Sequence, residues 1–354
     1  MERKTRKVLC GKVEIGGGAA ISIQSMTNTD TRDVGATVSQ IFRLEEAGCQ
    51  IVRCAVPDFE AVEALKDIKK VINLPLVADI HFDYRLAIEA MKNGADKIRI
   101  NPGNIGDKDK VRKIVNVAKE RTIPIRIGVN SGSLEKDILI KYGGITAEGM
   151  AESALRNIRD IEDMGFEDIV VSLKSSQVRL NYDANVLIAQ QMSYPLHIGI
   201  TEAGTIERGK VKSAAGISAL LLAGIGDTIR VSFTGDPVSE VIFAKELLKA
   251  VGLRDEGINL ISCPTCGRCS VDLVRFVDAI ESKINTIKIN KPFTAAIMGC
   301  EVNGPGEAKE ADIGVAFGKG KAVLFKDGEL MRTVPVFSAE KEFLKEIEKL
   351  IGSQ

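Results

Sequence analysis

The sequence predicts an α/β fold: a (β/α)8 TIM barrel over residues 1–254, then a small α/β domain over residues 255–354. Three observations lead there. Between Ile21 and Val251, short apolar runs alternate about eight times with stretches of helical period, the pattern of parallel βα units. Helical stretches end in glycine just before the next apolar run, at Gly48, Gly94 and Gly165, where a left-handed C-terminal cap belongs. A length of 354 residues exceeds one ordinary compact domain, so a large domain and a smaller one are expected. An open doubly wound sheet competes, but it rarely carries so many parallel units.

Taken in order, residues 8–9 and 13–15, joined through Gly11, read as a hairpin that plugs the barrel bottom. Barrel strands are expected at 21–24, 51–54, 76–80, 97–100, 125–129, 169–173, 196–200 and 228–232. The helices between them are expected at 37–47, 60–71, 84–92, 110–120, 147–164, 184–191, 210–222 and 239–250. The polar stretch 252–257, with a glycine at each end, marks the boundary. Beyond it come a helix at 272–281, strands at 286–289 and 294–298, and a hairpin turning at Asp327-Gly328. A last helix starts from Ser338 as N-cap and runs to Leu350.

Composition narrows the function. Lys plus Arg and Asp plus Glu each number 48, so no global charge steers the chain to nucleic acid or an anionic membrane. The 45% apolar content is ample for a core. The longest apolar-rich run, 217–225, is far too short to span a bilayer. Basic residues near the start precede no apolar run, so no signal peptide is expected. Seven cysteines, three of them close together, fit a reducing cytoplasm and a metal site better than a disulfide framework.

In a barrel of this kind the active site lies at the C-terminal mouth. Arg53, Arg99, Arg126 and Arg230 are each flanked by apolar residues on a strand, and Lys174 ends another. An inward-facing cation is costly unless it meets an anion. Five converging cations therefore predict a ligand with more than one negative charge, and the guanidinium fork suits phosphate. Loops at 101–104, 131–132 and 234–236 add backbone donors, the last after strand eight, a frequent phosphate position. The competing reading pairs these cations with Asp79 and Glu202 in a structural network. Asp79 with His81, or Glu202, can supply acid–base chemistry. His197 reads as a hydrogen-bonded core residue or one that supports the site residues from behind, and Gln24, Asn28 and Asn130 as polar groups that position substrate.

The second domain carries the thiols. Cys263 and Cys266 stand at C-x-x-C spacing with Cys269 close behind; Cys300 is followed by a Gly304-Pro305-Gly306 turn and Glu307. Thiolates suit zinc, Cu(I) or iron–sulfur clusters. A structural zinc knuckle is the plainer reading, but its second half would need another Cys or a His, and no His lies in this part of the chain. Three thiolates with the harder, displaceable Glu307 would leave one iron open to a substrate oxygen. Spacing alone leaves Cys269 either a ligand in place of Cys263 or Cys266, or a bystander.

The strings CPTCGR (263–268) and MGCEVNGPGEA (298–308) occur together with IQSMTNT, VRCAVPD, ADIHFD, RINPGN, IRIGVN, SLKSS, GITEAG and RVSFTGDP. In this combination the chain resembles the 4-hydroxy-3-methylbut-2-en-1-yl diphosphate synthases of the methylerythritol phosphate route to isoprenoids, over essentially its whole length. The resemblance implies reductive dehydration and ring opening of 2-C-methyl-D-erythritol 2,4-cyclodiphosphate. It also implies a [4Fe–4S] cluster on Cys263, Cys266, Cys300 and Glu307, with Cys269 outside the set. Electrons would come from flavodoxin or ferredoxin. Glu202 and Asn303 match catalytic positions. Arg53, Arg99, Arg126, Asn130, Lys174 and Arg230 match diphosphate-binding positions, with Asp79, His81, Asn101 and Ser232 nearby. A cytoplasmic homodimer whose active site is shared between subunits is implied, in the two-domain bacterial form. Two other classes remain: a transferase barrel of the dihydropteroate-synthase type with a zinc module, and a non-enzymatic electron carrier.

Overall fold

Alternation along each strand decides which side chains the barrel encloses. In Ile125–Asn130, Ile125, Ile127 and Val129 join the aliphatic core under the helices, while Arg126, Gly128 and Asn130 take the other face. The computed structural model describes residues 3–255, 257–284, 287, 289, 291–300 and 311–352. The chain divides into two compact units, Met1–Leu253 and Arg254–Gln354.

In the first unit, β1 (Val8–Cys10) and β2 (Val13–Ile15) form an antiparallel hairpin. Val8, Cys10 and Ile15 pack against Ile51, Val77 and Val170, inward residues near the starts of barrel strands, so the hairpin stoppers the N-terminal end. The barrel strands are β3 (Ser22–Met26), β4 (Ile51–Ala55), β5 (Leu76–Asp79), β6 (Lys97–Ile100), β7 (Ile125–Asn130), β8 (Ile169–Lys174), β9 (His197–Ile198) and β10 (Thr228–Ile229). They pair in parallel in the spatial order β8-β7-β6-β5-β4-β3-β10-β9. A single bridge from Val171 to Leu196 nearly closes the ring, with the Val171 N–H donating to the Pro195 carbonyl at 2.9 Å. β9 and β10 are shorter than expected. Just beyond Ile198 the two chains approach so closely that a Cβ on Gly199 would lie 2.3 Å from the Arg230 carbonyl, and the chain then turns through a left-handed Glu202.

Several helices start earlier than their apolar period alone indicates. The carboxylates of Asp33, Asp58, Asp107 and Asp236 accept the N–H groups of Ala36, Ala61, Lys110 and Val238. These caps begin helices at Val34, Phe59, Lys108 and Pro237, one to three residues before the expected positions. The helix expected at 184–191 spans Val178–Ala189, and an unexpected helix covers Lys136–Tyr142.

The second unit is a five-stranded sheet of β11 (Ile258–Ser262), β12 (Phe293–Met298), β13 (Ile313–Gly318), β14 (Lys321–Lys326) and β15 (Glu329–Pro335), paired in that order. The first three are parallel and the last two join antiparallel. Helices Leu273–Ile284 and Ala339–Gly352 cover one face, where Ile280, Phe343 and Ile347 meet Ile297, Val315, Phe317 and Leu324. The hairpin turns at Asp327-Gly328, both with positive φ. The strand expected at 286–289 falls largely outside the described residues, and β11 and β13 were not foreseen. Ser338 directly precedes the last helix, Ala339–Gly352, as expected of its N-cap position. It closes a single 3-10 turn, Val336–Ser338, and its hydroxyl donates to the Pro335 carbonyl at 3.0 Å.

Candidate active site at the barrel mouth and the thiol group

Arg53, Arg99, Arg126, Lys174 and Arg230 come from five different strands or strand ends and line one cavity of about 160 Å3. Asp79, His81, Asn130 and Ser232 share its wall. Asn101 does not. It precedes the single helical turn Pro102–Ile105, is buried, and donates from Nδ2 to the Ser133 hydroxyl at 3.4 Å, bracing the mouth loop instead.

Asp79 is the carboxylate on this wall. It accepts from Arg99 at 3.3 Å, lies 3.3 Å from His81 Nε2, and stands 3.8 Å from Arg53 Nε. Burial alone would raise its pKa. The Arg53 charge, the His81 hydrogen bond and the charges of Arg99 and Arg126 override burial and hold Asp79 well below the usual carboxylate range. The cations are left under-satisfied. Arg53 turns its Nε and one Nη to the Met26 thioether, a weak acceptor. Arg99 Nε, Arg126 Nε and Nη1 and Arg230 Nε are buried without hydrogen-bond partners among the described residues. Burial, then mutual repulsion, lowers the pKa of Arg126 and Lys174 well below ordinary values, and burial beside Arg53 brings Arg230 to about 10. A purely structural network would balance its charges; this one holds an excess of positive charge.

Two glycines make the crowding possible. A Cβ on Gly128 would stand 2.6 Å from Arg99 Nε, and one on Gly199 would stand 3.1 Å from Lys174 Nζ. Each leaves room for a cation head.

An outer pocket of about 510 Å3 shares His81, Arg99, Asn130 and Thr201 with the cationic cavity and adds Glu202 and Ser131, Ser133, Ser175 and Gln177. The chemistry is graded: cations at depth, hydroxyls and amides outside. Glu202 holds φ at 51°, a left-handed backbone without glycine, the kind of strain that collects at working sites.

Several polar residues sit elsewhere than the sequence reading placed them. His197 is fully buried, but neither ring nitrogen has a hydrogen-bond partner among the described residues, which corrects the hydrogen bonding expected of it. Burial and then the charges of Lys174, Arg126 and Lys97 push its pKa well down, which favours the neutral ring. Asn28 is spent on Gln40, bonded through both backbone and side chain at 2.9 and 2.5 Å. Gln24 is buried, with both amide atoms unpartnered. Lys97 was missed: its ammonium is fully buried and faces the Cys10 thiol of the hairpin. Its place two residues before Arg99 on one strand was the available signal. Glu240 was missed as well. It is buried next to Arg230 and accepts the Phe233 N–H at 3.0 Å.

In the second unit the thiols gather around Gly299. Its N–H donates to Cys263 Sγ at 3.1 Å, and a Cβ there would meet Cys269 Sγ at 2.8 Å and Cys263 Sγ at 3.5 Å. Cys300 follows directly. The backbone and side chain of Arg268 lower the pKa of exposed Cys266, which favours thiolate. Cys269 Sγ lies 3.3 Å from the Val271 carbonyl, on the same side of Gly299 as Cys263. All four are free of disulfides. N–H donors on sulfur and a lowered thiol pKa are the chemistry that thiolate ligation of a cluster requires. No three metal-binding side chains converge on a point among the described residues. Glu307 and Asn303 lie outside those residues.

No helix among the described residues is long and apolar enough to cross a membrane. Residues 5–245 match the family model of the GcpE TIM-barrel domain, and residues 259–349 that of the GcpE protein C-terminal domain. The chain is 58% identical to the 4-hydroxy-3-methylbut-2-en-1-yl diphosphate synthase (flavodoxin) of Caldanaerobacter subterraneus, covering 100% of this chain and 99% of that one. It is 59% identical to the protein of the same name from Anoxybacillus flavithermus, covering 98% and 95%. Among solved structures, Yersinia pestis dihydropteroate synthase aligns at TM-score 0.49 and 11% identity over 70% of this chain and 97% of that one, too slight a likeness to bear on function. With both domain models matched in order and more than half of all residues identical to these relatives, the chain is an enzyme of the GcpE family.

Proposed function

We propose that the protein converts 2-C-methyl-D-erythritol 2,4-cyclodiphosphate to 4-hydroxy-3-methylbut-2-en-1-yl diphosphate, as its relatives' names indicate for their product. The reaction takes up two electrons and two protons and releases water. The observation that carries the reading is the cavity of five cations around Asp79, a fit for two phosphates on one small molecule. A [4Fe–4S] cluster on Cys263, Cys266, Cys300 and Glu307 would supply the electrons one at a time and a Lewis-acidic iron.

The barrel residues do the rest. Arg53, Arg99, Arg126, Lys174 and Arg230 hold the diphosphate and stabilise the charge freed as the ring opens. Asn130, Ser232 and His81 orient the sugar-derived carbons at the cavity rim. Glu202 gives a proton to the departing oxygen, and Asn303 assists in the same step. Asp79 keeps the Arg53 and Arg99 guanidinium groups ordered while substrate is absent. The enzyme acts in the cytoplasm as a homodimer and receives its electrons from flavodoxin.

The test is anaerobic purification with iron and sulfide analysis, followed by a dithionite-driven assay on the cyclic diphosphate. Four irons and four sulfides per chain with product formation are expected. Zinc alone and no turnover would overturn the reading. Glu307→Ala is expected to fold normally and to lose turnover; full activity in that variant would remove the carboxylate from the ligand set.

A further inference from the structure

The face of the C-terminal sheet opposite its two helices carries a groove of about 400 Å3. Register decides its lining. Val323 pairs with Ala316 and Thr333, and Phe325 with Leu330, so these side chains share one face. Arg332, one step out of that alternation, turns to the helix face and bonds Glu342. Lys319 and Lys321 stand at the groove's edge, both exposed, and among the described residues no carboxylate lines it. Leu330 is 65% exposed, an aliphatic side chain left to water at the groove's lip.

The groove is continuous with the thiol group. Cys263 packs on the same apolar patch, made of Ala296, Met298, Ala311, Ala316 and Phe325 with Val323 beside it. A molecule seated over Val323 and Phe325 lies three strands across the sheet from Cys263, roughly 14 Å at ordinary strand spacing. Resting on the reaction proposed above, we propose that this groove is the docking face for the electron-donor protein. The donor is a flavoprotein presenting an apolar contact ringed by carboxylates to the groove and its two lysines. One electron at a time passes from its reduced flavin to the cluster, and no atom is transferred. A small groove with a charged rim suits an encounter that must form and dissociate for each electron, since redox complexes lie at the low end of interface size and are steered by complementary charge.

The test uses the holoenzyme and a bacterial flavodoxin. Its variants are Lys319→Glu with Lys321→Glu and, separately, Leu330→Asp. Binding of oxidised flavodoxin is followed by flavin fluorescence over a salt series, and turnover is driven either by reduced flavodoxin or by dithionite. The charge variant should weaken binding about tenfold at low salt and flatten its salt dependence. Flavodoxin-driven turnover should fall in both variants while dithionite-driven turnover holds. Unchanged affinity and unchanged flavodoxin-driven turnover would overturn the docking face. So would a change in oligomeric mass by light scattering, which would make the groove a contact between copies of this chain. Loss of dithionite-driven turnover in the unsubstituted enzyme would sink the reaction instead, and flavodoxin affinity would still judge the groove.

Discussion

Asp79 shows what a single carboxylate does among buried cations. Its depressed pKa means that the stability it confers is present above the ordinary carboxylate value, about 3.9, and is lost as pH falls through its lower folded value. Asp79→Asn should cost about 3–5 kcal/mol in urea unfolding, the range for breaking a buried ion pair. Pyrophosphate should restore part of that loss by binding the cations left without Asp79. Lys174 behaves in the opposite sense. Burial and its cationic neighbours lower its pKa well below 10.5, and a bound anion raises it again. Between those two values binding takes up a proton, so affinity for pyrophosphate should fall as pH rises. Calorimetry in buffers of different ionisation enthalpy measures that proton directly.

Secondary-structure elements place these side chains, and their ends matter more than their middles. Asp58 caps the helix Phe59–Val71 behind the strand that carries Arg53. Asp58→Ala should cost about 1 kcal/mol with cavity affinity little changed. Thr122 ends the helix Lys108–Arg121 at φ 54°, a left-handed position held by a β-branched residue. Thr122→Gly should raise stability by about 1 kcal/mol, seen as a higher denaturation midpoint. Gly128 within β7 is different, because its importance is space rather than φ. Gly128→Ala should drive the Arg99 guanidinium from its seat and weaken pyrophosphate binding about tenfold, equivalent to one charge-assisted hydrogen bond.

At the scale of the whole molecule, the barrel and the C-terminal sheet each have their own core. Iron chelation should therefore raise hydrogen exchange in β11 and β12, near the thiols, and leave β4 to β8 protected; equal loosening of both units would contradict thiolate ligation in the second. The sequence by itself determined the succession of βα units, the inward cations and the thiol spacing, because period, charge and motif are local properties readable one stretch at a time. Only the tertiary structure decided that Asn101 braces a loop rather than lining the cavity, that His197 is buried without partners among the described residues, and that Lys97 and Glu240 stand among the cations. It also decided that Gly128 and Gly199 make room for cation heads. Those facts depend on which residues from distant strands meet across the barrel, and burial and neighbouring charge at such meetings have no signature in any one segment of chain.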